Sequence, residues 1–148
     1  MCKLETVSIR EKVEGYKIVA RKSKGKRYYS IAMGFKYPLD GHIPVIRKQS
    51  KICYIFMDDI ISEMSSAHEK DMTGRTIVYL RYSAALARYR VLMQRGSRSG
   101  YILVIVRAEV SEDVMEGFYG GYRVLRHEVA AGRHIRFIEE IDVTSREE

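Results

Sequence analysis

The sequence contains few cysteines and no long apolar run. Cys2 and Cys53 are the two cysteines among 148 residues, and they do not have the spacing of a metal site. Free thiols in a reducing cytoplasm are therefore expected. No apolar run approaches the roughly 20 residues that a membrane-spanning helix requires. Residues 1–10 also lack the charged and apolar segments of a signal peptide, so we predict a cytoplasmic protein.

The motifs of common enzyme classes are missing as well. The histidines lack the short paired spacing of a zinc site, and none begins the His-x-Ser/Thr motif of two-histidine phosphoesterases. They are His42, His68, His127 and His134. No lysine follows Lys70, which excludes the lysine of the Asp…Glu-x-Lys nucleases. The sequence therefore predicts a protein without catalytic residues, metal or cofactor.

One acidic cluster keeps an enzyme as an alternative. Glu139, Glu140 and Asp142 could hold a metal ion, although a solvated strand end is the simpler interpretation. An active site would require a cleft that gathers Glu139, Asp142 and His134.

The composition is that of one folded domain. Hydrophobic residues make up 46% of the chain and charged residues 30%, which is typical of globular proteins and not of disordered ones. A chain of this length can bury a core without disulfides. We predict a single domain over residues 1–148, with its core at about 6–143 and a short polar tail at 144–148.

Apolar patterning predicts a mixed α+β fold. The predicted strands are 6–10, 16–22, 27–33, 52–56, 76–80, 101–110, 122–129 and 134–143, with a loop or broken strand over 34–44 and a link over 130–133. Helices are predicted over 58–70 and 83–95, the second capped by Ser83. The strand at 101–110 is apolar throughout, so we expect it to be central and buried on both faces. The predicted architecture is a mostly antiparallel sheet of six or seven strands with one or two helices packed on it.

One segment, residues 15–39, is rich in cations and contains no carboxylate; we call it the basic segment. It has seven lysines and arginines and five aromatic residues. A positive field with ring faces inside it suits a ligand that carries both phosphate and a base. The predicted hairpin would project Arg21, Lys22, Arg27 and Tyr29 near its turn. The alternative is an edge hairpin whose solvated lysines prevent sheet-to-sheet aggregation.

Arginine replaces lysine in the second half of the chain. All ten lysines lie at or before Lys70, and twelve of the sixteen arginines lie at or after Arg75. The arginine fork suits phosphate, although compositional bias explains the division equally well. Several arginines interrupt apolar strands, namely Arg107, Arg123, Arg126, Arg133 and Arg136. They either pair with carboxylates such as Glu109, Glu128 and Glu139 or reach a phosphate in a cleft or subunit interface.

A glycine-rich aromatic stretch at 117–122 (GFYGGY) offers further ring faces for stacking, including that of Tyr119. It lacks the basic residue of an RNA-recognition strand motif and matches neither a dinucleotide fingerprint nor a P-loop. A glycine-rich turn with packed aromatic residues is the simpler interpretation.

From about residue 15 to residue 141, the order of motifs resembles that of small phage-encoded domains. The motifs are GYKIV (15–19), YYS (28–30), GRTIVYL (74–80), AALARYRVL (84–92) and VAAGRHIRFIEEI (129–141). Among such domains, the chain is most similar to the anti-Thoeris nucleotide-sequestering sponge proteins. It departs from their compact form through a longer insert at 50–74.

The resemblance implies a viral counter-defence protein in the host cytoplasm that binds a cyclic ADP-ribose-type or cyclic oligonucleotide signal. It also implies a homo-oligomer with ligand sites between protomers. We predict a non-enzymatic nucleotide-binding protein with no membrane association. The predicted ligand-binding residues are Arg21, Arg27, Tyr29, Tyr37, Arg107, Tyr119, Arg123 and Arg126. The alternatives are a single-stranded nucleic-acid-binding protein and a protein–protein inhibitor of a host defence enzyme.

Overall fold

The protein folds around one antiparallel β-sheet. The computed structural model describes residues 2–5, 11–31, 36–43, 75–94, 100–119 and 127–143. Their elements are β1 (Cys2–Glu5), β2 (Lys12–Lys22), β3 (Asp40–His42), β4 (Thr76–Tyr79), α1 (Tyr82–Met93), β5 (Tyr101–Ser111), β6 (Met115–Tyr119), β7 (His127–Gly132) and β8 (His134–Ile141). The strand order is β1-β6-β7-β4-β2-β5-β8-β3, and every neighbouring pair is antiparallel. The α+β class and the antiparallel sheet are confirmed, and the sheet has eight strands in the described residues.

The centre of the sheet is the pair formed by β2 and β5, which are in register from Lys12–Ser111 to Lys22–Tyr101. Ile105 on one face of β5 and Val106 on the other are both fully buried. The prediction of a central strand covered on both faces is therefore confirmed. β2 lies between β4 and β5, so the edge-strand interpretation does not apply to it.

The predicted hairpin is present in reduced form. Ala20 and Tyr29 exchange backbone hydrogen bonds of 3.0 and 2.7 Å, and Tyr29 forms a second bridge to Lys36. Among the described residues of 27–33, only Tyr29 pairs as a strand residue, so a continuous strand there is not what the structure shows. The reason is that β4 already pairs with the same edge of β2 at Tyr16. Only the last residues of β2 are therefore available to pair with residues 27–33.

Helix α1 packs on one face of the central strands, as predicted. Ala85 and Leu92 are buried against the core cluster that contains Ile18 and Ile105, and Tyr89 packs at its margin. Ser83 is not the N-cap. Arg81 takes that position, because the amides of residues 84 and 85 both donate to its carbonyl at 3.2 and 3.3 Å.

The chain turns a sharp corner between β5 and β6 and again between β7 and β8. The predicted link over 130–133 is too long, because Ala130 and Ala131 are buried strand residues of β7 and Arg133 alone joins β7 to β8. β7 pairs with β4 and β6, whereas β8 pairs with β5 and β3. That single residue therefore connects two strands that are not neighbours in the sheet. The Arg133 amide donates to the Glu112 carbonyl at 3.0 Å, which joins the two turns into one corner.

The remaining predicted elements either correspond to observed strands or lie outside the residues that the structure describes. The strands expected over 76–80, 101–110 and 134–143 correspond to β4, β5 and β8. The aromatic stretch expected as a turn begins inside strand β6, which extends to Tyr119. The elements predicted over 6–10, 52–56 and 58–70 and the tail at 144–148 lie outside the described residues. Of the strand predicted over 122–129, residues 127–129 form the start of β7, and the rest lies outside the described residues. Within the described residues, no helix has the length and apolar character needed to cross a membrane.

Candidate functional site

The seven cations of the basic segment have three different environments. Lys17 is buried, with 9% of its surface exposed. Arg21 is partly buried and paired with a carboxylate. The other five are exposed, namely Lys22, Lys24, Lys26, Arg27 and Lys36. The segment is therefore not uniformly available to a ligand.

Arg21 forms the best-defined ion pair of the segment. Its Nη2 and Nε donate to the carboxylate of Glu140 at 2.8 and 3.1 Å, and its Nη1 donates to the carbonyls of Lys22 and Ser23 at 3.1 and 2.9 Å. The hydrogen bond from Arg21 to Glu140 raises the pKa of the guanidinium further. Arg21 thus fastens the end of β2 to β8, and four of its five N–H donors are already used.

Tyr28 contacts the same carboxylate. Its hydroxyl donates to Glu140 at 3.2 Å, and its ring packs on Phe137 with centroids 4.8 Å apart. Burial raises the pKa of the Tyr28 phenol, and the neighbouring negative charge of Glu140 raises it further.

The turn from Lys22 to Arg27, which we call the basic turn, is the exposed part of the segment. Ser23 donates from its amide to the Gly100 carbonyl at 3.1 Å, and Gly25 donates to the Lys22 carbonyl at 2.9 Å. Arg27 Nη2 donates to the Tyr37 carbonyl at 3.2 Å. Within the described residues, none of the four cations of this turn contacts a carboxylate. The basic turn is therefore the strongest uncompensated positive feature of the described chain.

Two of the predicted stacking residues serve as packing residues. Tyr37 is only 2% exposed, shares a 3.2 Å hydrogen bond with Thr76 and packs edge-on against Phe137. Tyr29 is half-buried and packs edge-on against Tyr101, with centroids 5.6 Å apart. Tyr37 has no face free for a base, whereas part of Tyr29 remains accessible beside the basic turn.

Arg107 lies far from the basic turn. Its Nε is 3.2 Å from Glu14 and 3.5 Å from Glu139, which matches the interpretation that strand arginines pair with carboxylates. Since Arg107 is opposite Tyr16 and the basic turn begins opposite Tyr101, six strand residues, about 20 Å, separate them. The structure does not bring Arg107 together with the turn.

The remaining predicted residues are placed as follows. Tyr119 ends β6, where it pairs with Cys2 and His127, and Arg123 and Arg126 lie outside the described residues. The cleft that an enzyme would need is not formed by Glu139, Asp142 and His134. His134 begins β8, and Glu139 lies five residues along the strand, about 16 Å away.

Lys17 is a buried polar residue that sequence reasoning placed only within the general positive field. Its Nζ donates to the Ile77 carbonyl at 2.7 Å and lies 5.4 Å from the centroid of the Tyr37 ring. The alternation of β2 places Lys17 on the same face as Val19, and this apolar neighbour is the only sequence signal for its burial.

A second polar cluster, which we call the corner cluster, surrounds the turn after β5. Asp113 accepts from Arg133 Nε at 3.0 Å and from Arg75. The hydrogen bond from Arg133, followed by the charge of Arg75, lowers the pKa of Asp113 below its usual range. Glu112 and Asp113 have positive φ angles of 62° and 56°, a backbone region that costs residues other than glycine about 1–2 kcal/mol each.

Two histidines complete the corner cluster. His42 Nε2 is 2.8 Å from Glu112, and His134 contacts Glu112 through Nδ1 at 3.2 Å and Asp40 through Nε2 at 2.6 Å. The hydrogen bond with His42 lowers the pKa of Glu112. Sequence spacing missed this group, because His42 and His134 become neighbours only through the pairing of β3 with β8.

No protein-family model, no curated protein and no solved structure matches this chain. The resemblance to nucleotide-sequestering sponge proteins therefore stays a prediction. The geometry of the described side chains is what supports a function.

Proposed function

We propose that this protein binds a phosphate-bearing nucleotide signal at the basic turn and sequesters it without chemical change. The observation that carries the proposal is the exposed set of Lys22, Lys24, Lys26 and Arg27, which contacts no carboxylate within the described residues. Four cations on six residues attract a polyanion strongly, and Arg27 adds a planar fork that suits phosphate.

The proposed ligand is a cyclic ADP-ribose-type molecule or a cyclic oligonucleotide. The partly accessible Tyr29 lies in the bridge next to the turn and offers a ring face for a base. Sequestration needs only tight binding, which a turn that presents positive charge can supply without a chemical step. A homo-oligomer would let two copies of the turn enclose one ligand, and we propose this arrangement as well.

Calorimetry against cyclic ADP-ribose, its isomers and cyclic dinucleotides tests the proposal. The double variant Lys24→Gln/Lys26→Gln should weaken binding about tenfold or more, because each lost contact removes about 1 kcal/mol of attraction in water. The matched control is Lys12→Gln/Arg81→Gln, which removes the same charge elsewhere and should change affinity less than about twofold. Equal losses in both double variants, or no binding by the folded wild type, would refute the proposal.

A single-stranded nucleic acid is the second candidate, because the cations stand on a projecting turn that a long strand could follow. The affinity for a strand should fall steeply with salt, and Lys24→Gln/Lys26→Gln should reduce the logarithmic slope by about 1.4. A small nucleotide with two phosphates should show a much shallower dependence. One salt titration of wild type and variant therefore separates the candidates.

A further inference from the structure

The corner cluster places two imidazoles and one carboxylate around a common point. His42 of β3 and His134 of β8 are directly opposite each other in the strand register, and their rings meet edge to face with centroids 5.1 Å apart. Glu112 reaches both rings from the turn that follows β5. One nitrogen from each ring and one oxygen from Glu112 all lie within 4.8 Å of one another.

These separations are close to those of a coordination sphere. Nitrogen and oxygen ligands lie about 2.0–2.1 Å from zinc, so neighbouring ligands of a tetrahedral site are about 3.3 Å apart. The distances from Glu112 to His42 and His134 are 2.8 and 3.2 Å. The histidine nitrogens need to approach each other by at most about 1.5 Å, which side-chain rotation can supply.

The hydrogen-bond partners of His134 also favour a cation at this point. Its Nε2 faces Asp40 at 2.6 Å, so the ring proton of the neutral form is expected there. Nδ1 is then an acceptor, and it faces a Glu112 carboxylate oxygen at 3.2 Å. Nδ1 is buried and makes no well-directed hydrogen bond within the described residues. Two acceptors in this arrangement require a proton or a metal ion between them.

We propose that His42, Glu112 and His134 bind a divalent first-row transition-metal ion, with zinc as its simplest representative. Two imidazoles and a carboxylate suit zinc or iron, whereas magnesium and calcium prefer oxygen ligands. Asp40 acts as the outer partner that orients His134, as carboxylates commonly do for metal-bound histidines. Three protein ligands leave one coordination position for water or an anion.

The backbone supports the same assignment. Glu112 has a φ of 62°, a region in which a glutamate is unfavourable, yet this conformation brings its carboxylate to the histidines. The site is accessible, since the side chains of His42 and Glu112 are 68% and 53% exposed. It is also separate from the basic turn, because the eleven residues of β2, which span about 33 Å, lie between them.

The test uses the full chain without an affinity tag, stripped with a chelator and titrated with zinc by calorimetry. One zinc ion per chain should bind, and His42→Asn and Glu112→Gln should each weaken binding at least tenfold. Asp40→Asn should weaken it about tenfold through His134. Glu139→Gln at the far end of β8 is the matched carboxylate control and should leave zinc affinity unchanged.

Cobalt substitution provides a second readout. The cobalt form should show visible d–d absorption without a thiolate charge-transfer band, and Asp40→Asn should shift that spectrum. Circular dichroism of the chelated variants verifies that each one is folded. Absence of zinc binding by the wild type, or unchanged binding in both His42→Asn and Glu112→Gln, would show that the cluster holds ion pairs only and overturn the proposal.

Discussion

Arg21 and Glu140 are 119 positions apart in the chain, yet they form a two-point ion pair at 2.8 and 3.1 Å. The basic segment is free of carboxylates in sequence, but the fold supplies one from β8. The Arg21 side chain is only 18% exposed, and it also holds the carbonyls that begin the basic turn. Glu140 thereby neutralises one cation and defines where the uncompensated charge begins.

Replacing Glu140 with glutamine should strengthen nucleotide binding at the basic turn. The change releases the Arg21 guanidinium and adds one positive charge beside the turn. One additional unit charge at contact distance contributes about 1 kcal/mol in water, or about a fivefold gain in affinity. Calorimetry with the tightest ligand of the wild-type panel measures this gain.

Glu139→Gln is the matched control for that experiment. It produces the same change in charge, but it removes one of the two carboxylates beside Arg107, which lies about 20 Å from the turn. The expected change in affinity is less than twofold. A larger gain from Glu139→Gln than from Glu140→Gln would place the ligand at Arg107 and contradict the proposed site.

The elements that could be predicted from sequence are those whose signal is local. The continuous apolar run of β5 and the helical spacing of Ala85, Tyr89 and Leu92 depend only on neighbouring residues. The corner cluster has no local signal, because strand pairing alone brings His42 to His134. The pairing of Arg21 is likewise a property of the register and was beyond sequence reasoning.

Lys17 provides a test of whether a buried ammonium group contributes to stability. Lys17→Met keeps the aliphatic packing and removes a charge that burial disfavours, while the Ile77 carbonyl loses its donor. These effects oppose each other, so the free energy of unfolding should change by less than about 1 kcal/mol. Lys17→Ala also leaves a cavity and should cost about 2–3 kcal/mol. Urea denaturation measures both.

A cost for Lys17→Met as large as that for Lys17→Ala would contradict this prediction. It would show that the ammonium group stabilises the fold through its charge, by way of its contact with the Tyr37 ring. Calorimetry with the nucleotide panel should give wild-type affinity for Lys17→Met, since Lys17 is buried away from the basic turn.

Gly15 allows the close approach of β4 to β2. A Cβ atom at this position would lie 2.5 Å from the Tyr79 carbonyl oxygen and 2.8 Å from a methyl carbon of Val78. Gly15→Ala should therefore destabilise the protein by about 2–3 kcal/mol, because backbone must move to relieve the overlap. Gly100→Ala is the control: it meets no atom within 4 Å and has a φ of +79°, so its cost should be about 1 kcal/mol. Equal costs would show that the backbone at the contact between β4 and β2 can move with little loss of stability.

Asp113 should contribute a pH-dependent part of the stability. Its pKa is lowered by the hydrogen bond from Arg133 and by Arg75, so its ionised form is favoured in the folded state. The stabilisation is complete above the ordinary aspartate pKa, about pH 4, and is lost as the pH falls through the lowered folded-state value.

Asp113→Asn removes the charge and introduces asparagine, a residue that also tolerates positive φ. The variant should be less stable than wild type at pH 7, and the difference should shrink steadily below about pH 4. Urea denaturation from pH 7 to pH 2 measures this difference, and a value that stays constant over the range would show that the charge of Asp113 does not stabilise the corner.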